Sequence, residues 1–445
     1  ALFGIYAALA FSAPVMGGII ADSWIGYPRA VLLGLIIAII GNLLLLHADI
    51  NFLFLGLAFV ITGIGFFKAS NASLLGELYQ TYDVRKEEGF TLFYMGMNIG
   101  AIFGPLIFGF GVRWYGFRLG FIFNIIGLSI CLILFAINYG YFKNNQQSNH
   151  NFASQLKALW QRSLSESLLI VSIFILIIGF YLLFSYPVIF KELFWMVLGL
   201  TFIVVLFLAY YQQQPYRNHI ILLLLLNVFI VFYFASSLQI GSSLLVYINT
   251  YLDTSWWGIT LPPEAFVSLQ SIFIIVSAPI LAPVWQYFEN KHHAPLLFRR
   301  VFLGLLFAGI SFLIFALVTR LPVTTHFNLP LWCVFIGNFF LALGELCIVP
   351  PILSAITYLL PGYLRATFIG IFYLFCAFSA YLASVLATLT VPASKAAEHV
   401  VGKMLYYVAF RDIAIMTLLV SLLFWLIKPL LVRLYHRPLA MQQTD

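Results

Sequence analysis

Long apolar runs, separated by short polar or charged breaks, recur from one end of this chain to the other. Each run holds about 18 residues or more, enough to cross a hydrocarbon core roughly 30 Å thick as a helix. The runs lack two-residue alternation and are far longer than barrel strands. That leaves helices as the way to satisfy backbone hydrogen bonds in lipid. The pattern predicts thirteen helices near residues 1–20, 30–47, 52–78, 89–111, 118–141, 167–186, 191–211, 219–248, 266–288, 297–319, 330–360, 362–391 and 405–432. One stretch, 143–166, is clearly polar and carries Asn144-Asn145-Gln146-Gln147-Ser148-Asn149-His150-Asn151. It reads as an extramembrane linker. The expected plan is an N-terminal bundle over 1–142, the linker at 143–166, two extra transmembrane helices over 167–211 and a C-terminal bundle over 212–445.

Composition agrees. Of the 445 residues, 63% are hydrophobic and 8% charged, against about 45–50% and 25% in a soluble domain. Lipid must therefore be the solvent for much of this surface. Cys131, Cys333, Cys347 and Cys376 all lie within apolar runs, without metal-ligand spacing, and read as small buried hydrophobes. The net charge of +7 matters less than its distribution. Placing Asp22 to Arg29 in the cytoplasm and alternating from there puts 14 Lys and Arg inside and 7 outside, with Lys68 within a helix. That bias predicts a cytoplasmic C-terminus and an outer Ala1. No nucleic-acid signature is present. Ala1 already stands in an apolar run, without an initiator Met or a polar leader, so Ala1–Ile20 is not a signal peptide. One helix before Ala1 would restore a cytoplasmic start.

Only two charged residues fall deep in the runs: Lys68, in Gly65-Phe66-Phe67-Lys68-Ala69-Ser70-Asn71, and Glu345, in Gly344-Glu345-Leu346. A charge at mid-membrane costs at least about 2.5–3.5 kcal/mol, so such residues face the bundle interior and usually serve function. The economical expectation is that they face each other across a central cavity. The plainer alternative is a static ion pair locking helices, which a hydrophobic pair would do at lower cost. The eight histidines, among them His47, His150, His219, His292-His293, His326, His399 and His436, lie in loops or at helix ends. No catalytic cluster, metal site or cofactor motif emerges. Pro14 to Gly18, Gly100 to Pro105, Pro279 to Pro283 and Pro350-Pro351 interrupt helices in ways that suit bending or ordinary kinked packing.

These residues together resemble a known family. Phe3-Gly4, Pro14, Gly17-Gly18, Ala21-Asp22 and Gly26-Tyr27-Pro28-Arg29 resemble the second helix and following loop of proton-dependent oligopeptide transporters, a branch of the major facilitator superfamily. Lys68 with Ala69-Ser70-Asn71 resembles the family's helix-four motif. Gly89-Phe90-Thr91-Leu92-Phe93-Tyr94-Met95-Gly96-Met97-Asn98-Ile99-Gly100-Ala101 resembles its helix-five signature nearly position for position. Gly344-Glu345-Leu346, Pro350, Leu353-Ser354 and Arg365 resemble its helix-ten motif and the loop after it. The resemblance runs from about residue 1 to 430.

It implies an all-α transmembrane fold of two six-helix bundles, with the two extra helices of bacterial members between them. The first visible helix would be the second of fourteen. It implies that Lys68 and Glu345 pair across the bundles and serve gating or proton coupling, and that Asn98 contacts the peptide backbone. Tyr94 and Gln239 belong to the same expected substrate site, as do Lys68, Glu345, Phe11, Phe273, Phe372 and Cys376. Several positions depart from the family. Its helix-seven glutamate is Leu238 here, its helix-eight asparagine Phe273, a helix-two tyrosine Phe11, an aromatic-pocket tryptophan Phe372 and a nearby serine Cys376. The expected activity is proton-coupled import of di- and tripeptides by alternating access across a bacterial inner membrane. The expected partners are peptide, protons and membrane lipid, with the protein a monomer. Alternatives are another small carboxylate-bearing cargo such as an amino acid, a non-transporting sensor, or a membrane-embedded enzyme, for which no catalytic cluster is present.

Overall fold

A computed structural model describes residues 2–47, 49–79, 85–115, 117–144, 162–252, 255–256, 259–260, 265–291, 296–320, 329–388 and 398–435. Among these, the chain runs as α1 (Leu2–Ile20), a π-helical turn (Ala21–Ile25), α2 (Tyr27–Leu44), α3 (Ile50–Glu77), α4 (Arg85–Tyr115), α5 (Phe117–Ile137) and the short α6 (Tyr139–Asn144). Then come α7 (Arg162–Ser185), α8 (Pro187–Tyr211), α9 (Tyr216–Ser237) and α10 (Ser243–Tyr251). The series closes with α11 (Ala265–Lys291), α12 (Leu297–Val318), α13 (Leu329–Leu359), α14 (Arg365–Thr388) and α15 (Glu398–Tyr435). The thirteen predicted helices thus each have a counterpart among the described residues. Eleven combine the length and apolarity needed to cross a membrane, and α8 adds a shorter apolar stretch over Trp195–Tyr211. Most of the polar linker, with His150, and the loops carrying His292, His293 and His326 lie outside the described residues, as does His436.

Sequence chemistry sets several of the boundaries. Asp49 accepts the Asn51 amide at 2.7 Å and so caps α3. At the start of α2, Gly26 takes φ 74°, a left-handed conformation that glycine adopts without strain, and Pro28 follows in the first turn. The helices at prolines 14, 279, 283, 350 and 351 are continuous. The interruption instead comes just after Gly17-Gly18, as the π-helical turn. The run predicted as one helix over 219–248 is broken. It passes from α9 through a 3-10 turn (Leu238–Gly241) into α10. Here the Ser242 and Ser243 hydroxyls both donate to Gln239 Oε1, local bonding that competes with the helical ladder. A two-residue hairpin, Ser255–Trp256 against Ile259–Thr260, was not legible in the hydrophobic pattern.

The outermost surfaces are those of a chain solvated by lipid. On α5, Ile130, Ile133, Leu134 and Ile137 are exposed, as are Ile175 on α7 and Met196 and Ile203 on α8. By contrast, α13 and α14 are buried through most of their length. Where apolar contact gives little advantage over lipid, small residues let helices approach closely. A methyl placed at Gly63 of α3 would stand 2.6 Å from the Gly34 carbonyl of α2, and one at Gly41 would stand 2.8 Å from the Gly56 carbonyl.

The chain resolves into two compact units. One comprises 1–86, 104–221 and 353–377; the other comprises 87–103, 222–352 and 378–445. The division does not follow chain order, since α4, α9, α13 and α14 each contribute to both.

Candidate functional site

In the first unit, Lys68 stands in the third quarter of α3, well inside the span. Its Nζ lies 4.2 Å from the ring centre of Phe11 on α1 and 4.0 Å from that of Tyr373 on α14. A cation over two ring faces in a desolvated site gains about 2 kcal/mol or more. Tyr373 is nearly buried and packs edge-on against Phe372, centroids 5.3 Å apart. Cys376, one turn beyond Phe372, is also buried, and its thiol lies near enough to Lys68 to interact electrostatically. The structure therefore brings Lys68 together with Phe11, with Cys376 near by, and places Phe372 against Tyr373. It adds Tyr373, which the sequence reading passed over; an aromatic next to a singled-out Phe372 was the available signal.

A second polar cluster in this unit ties the π-helical turn, α2, α3 and the start of α14 together. The Asp22 carboxylate accepts the backbone amides of Ala366 at 3.1 Å and Thr367 at 2.7 Å, the Thr367 hydroxyl at 2.7 Å and the Tyr27 hydroxyl at 3.0 Å. It caps the start of α14, where orphan amides and the helix dipole favour an anion. Tyr27 also donates to the Gly362 carbonyl. Arg365 faces Glu77 at 3.9 Å, both side chains almost fully buried, and its Nε donates to Leu360 O at 3.1 Å. The sequence marked Asp22, Tyr27 and Arg365 only as parts of a resemblance and did not join them. His219, placed among the uninformative histidines, is buried with Nδ1 2.9 Å from the Leu359 carbonyl.

In the second unit, Glu345 lies midway along α13. Tyr94 of α4 donates its hydroxyl to Oε1, and Gln270 of α11 donates its amide to Oε2. Gln270 Nε2 also donates to Ser237 Oγ at 3.0 Å, at the last residue of α9. The Tyr233 hydroxyl, also on α9, donates to Leu341 O at 2.7 Å. That carbonyl is one turn before Glu345 on the same helix. Gly344 makes room for Tyr233, because a methyl there would stand 2.9 Å from the Tyr233 ring.

The other expected residues divide. Phe273 packs with Tyr94 and Met95 against Ile274, Ala278, Ala342 and Leu346, its ring edge-on to Phe339. Asn98, one turn after Tyr94, donates to the Tyr94 carbonyl at 3.0 Å. Gln239 is wholly buried, and its amide bridges Ala235 O and Ala383 O while accepting from Ser242 and Ser243. Its polar atoms hold the break between α9 and α10. At the start of α4, Glu87 pairs with the buried Arg300 of α12, whose guanidinium stacks 5.1 Å from the Trp285 ring. Gln270, Ser237 and Tyr233 escaped the sequence reading. An isolated glutamine in an apolar run was the one visible sign.

Comparison with known proteins now bears on this geometry. The sequence model of the POT family matches residues 28–403. The chain is 28% identical over 395 residues to the peptide transporter YePEPT of Yersinia enterocolitica subsp. palearctica, covering 85% of this chain and 76% of that protein. It is 28% identical over 387 residues to a di-/tripeptide transporter of Lactococcus lactis subsp. lactis, covering 84% of this chain and 77% of that one. The crystal structure of a peptide transporter POT in complex with sulfate superposes with a TM-score of 0.69 at 27% identity, covering 97% of this chain and 86% of that one.

Proposed function

The chain belongs to the POT family of multi-pass membrane transporters, and from that premise we propose that it imports di- and tripeptides coupled to protons by alternating access. The observation that carries this is the contrast in chemistry at two intramembrane charges. Lys68 is held by ring faces, which leaves its N–H donors oriented by no rigid acceptor in its described contacts. Such a cation suits a peptide carboxylate. Among the described residues Glu345 is held by neutral donors, one on each oxygen. Such an acid can take and release a proton without losing an ionic partner. On the first unit Phe11, Phe372 and Cys376 supply a binding surface with Lys68; on the second Tyr94, Asn98 and Phe273 supply one with Glu345, while the buried Gln239 holds the break between α9 and α10. The bundles span 1–142 and 212–445, with the helices of 167–211 as an added pair. The protein sits in a bacterial inner membrane as a monomer, its C-terminus cytoplasmic.

Liposome uptake of a labelled dipeptide tests this. Accumulation under an inward proton gradient and its collapse with an uncoupler are expected. No uptake across a broad dipeptide panel would defeat the reading. One observation favours a second cargo, an amino acid or other small carboxylate. Phe273 and Phe372 make apolar contacts where the family resemblance places polar or indole groups. A thermal-shift screen pitting dipeptides against free amino acids separates the two, since only a bound ligand raises the melting temperature.

A further inference from the structure

We propose that Gln270 is a positioning residue for proton exchange at Glu345, a reversible amide that ties the protonation state of α13 to the broken end of α9. The inference rests on the proton-coupled reading above, but its chemistry can be measured separately.

The argument begins with direction. A carboxylate only accepts hydrogen bonds, whereas a carboxylic acid must also donate one. With Tyr94 donating to Oε1 and Gln270 to Oε2, the ionised form is satisfied at both oxygens. When a proton arrives on Oε2, the new O–H points at an N–H, and that contact cannot persist. A carboxamide resolves the conflict where a lysine ammonium, which can only donate, would not. Its terminal torsion is broad and two-fold, so a half-turn presents Oε1 in place of Nε2. The acid O–H then donates to Gln270 Oε1.

The same half-turn is felt at Ser237. In the ionised state Gln270 donates to Ser237 Oγ. After the turn Ser237 faces an acceptor, so its hydroxyl reverses and donates to Gln270. One proton therefore reverses two hydrogen bonds in series. The second is at the last residue of α9, immediately before the 3-10 turn Leu238–Gly241. The titratable groups facing Glu345 from its unit are Tyr94 on α4 and Tyr233 on α9. From α11 the contacts are the uncharged Gln270 and Phe273.

The test is infrared pH titration of the purified full chain, following the carboxylic-acid carbonyl band that Glu345→Gln removes. Gln270→Leu should move the midpoint of that band by about one pH unit, a tenfold change in proton affinity. Ser237→Ala, which leaves the Gln270–Glu345 bond in place, should move it by less. It also guards against Gln270→Leu failing to fold. Midpoints for the variants that fold within about 0.2 units of the parent would overturn the proposal, as would a parent spectrum with no band assignable to Glu345. Liposome uptake run in parallel keeps the two readings apart. Absent uptake with a shifted midpoint defeats the transport reading and supports this one.

Discussion

The two deep charges of this protein are housed by opposite means. Lys68 is held by the faces of Phe11 and Tyr373, and Glu345 by directed bonds from Tyr94 and Gln270. Ring faces attract a cation with little demand on direction. Hydrogen bonds fall off steeply with angle. The lysine can therefore swing toward an arriving anion while still over a ring, whereas the acid is fixed and can change state only if its partners rearrange. On the function proposed above, the difference divides the labour between the two sites. One is compliant and suited to binding; the other is stiff and suited to registering a proton.

Removing the cation should break the comparison most severely. Lys68→Ala leaves the rings without a charge and the ligand without a counter-charge, a loss of about 2–5 kcal/mol. Dipeptide affinity by calorimetry should fall by at least about 30-fold. Unchanged affinity would refute the binding role. Next comes the ring itself. Tyr373→Leu should weaken affinity by about fivefold, equivalent to about 1 kcal/mol of cation–ring attraction, while Tyr373→Phe should stay within about twofold of the parent. Equal losses in the two variants would instead assign the effect to the hydroxyl.

The smallest effect on binding is expected away from both charges. Asp22→Asn keeps the shape of the cap on α14 but removes its charge, and one of its groups can no longer accept. A cost of about 1–3 kcal/mol should appear as a lower melting temperature of the purified protein. Dipeptide affinity measured below the melt should move by less than about twofold.

Much of this fold was legible because lipid imposes a simple rule. Every crossing needs a long apolar run, and thirteen runs had thirteen helical counterparts. Lys68 and Glu345 were legible for the same reason, as charges where charge is expensive. What surrounds them was not. Tyr373, Gln270, Ser237 and Tyr233 are ordinary residues within apolar helices, and each acquires meaning only from a neighbour 33 to 305 positions away in the chain. The break after Ser237 was hidden in a run whose hydropathy is uninterrupted. Its cause is the buried Gln239 amide, which reaches Ala383 O across 144 positions. Asp22 stood in a recognisable motif, yet nothing local says that its acceptors face the start of α14.

The central claim is that Glu345 registers the proton while Lys68 serves the ligand. Glu345→Gln tests it most directly, because glutamine keeps the size and hydrogen-bonding capacity of the acid but cannot exchange a proton. In one liposome preparation, gradient-driven accumulation of a dipeptide should fall to background, while counterflow exchange of labelled for unlabelled dipeptide persists within about threefold of the parent. Undiminished gradient-driven accumulation by Glu345→Gln would contradict the account.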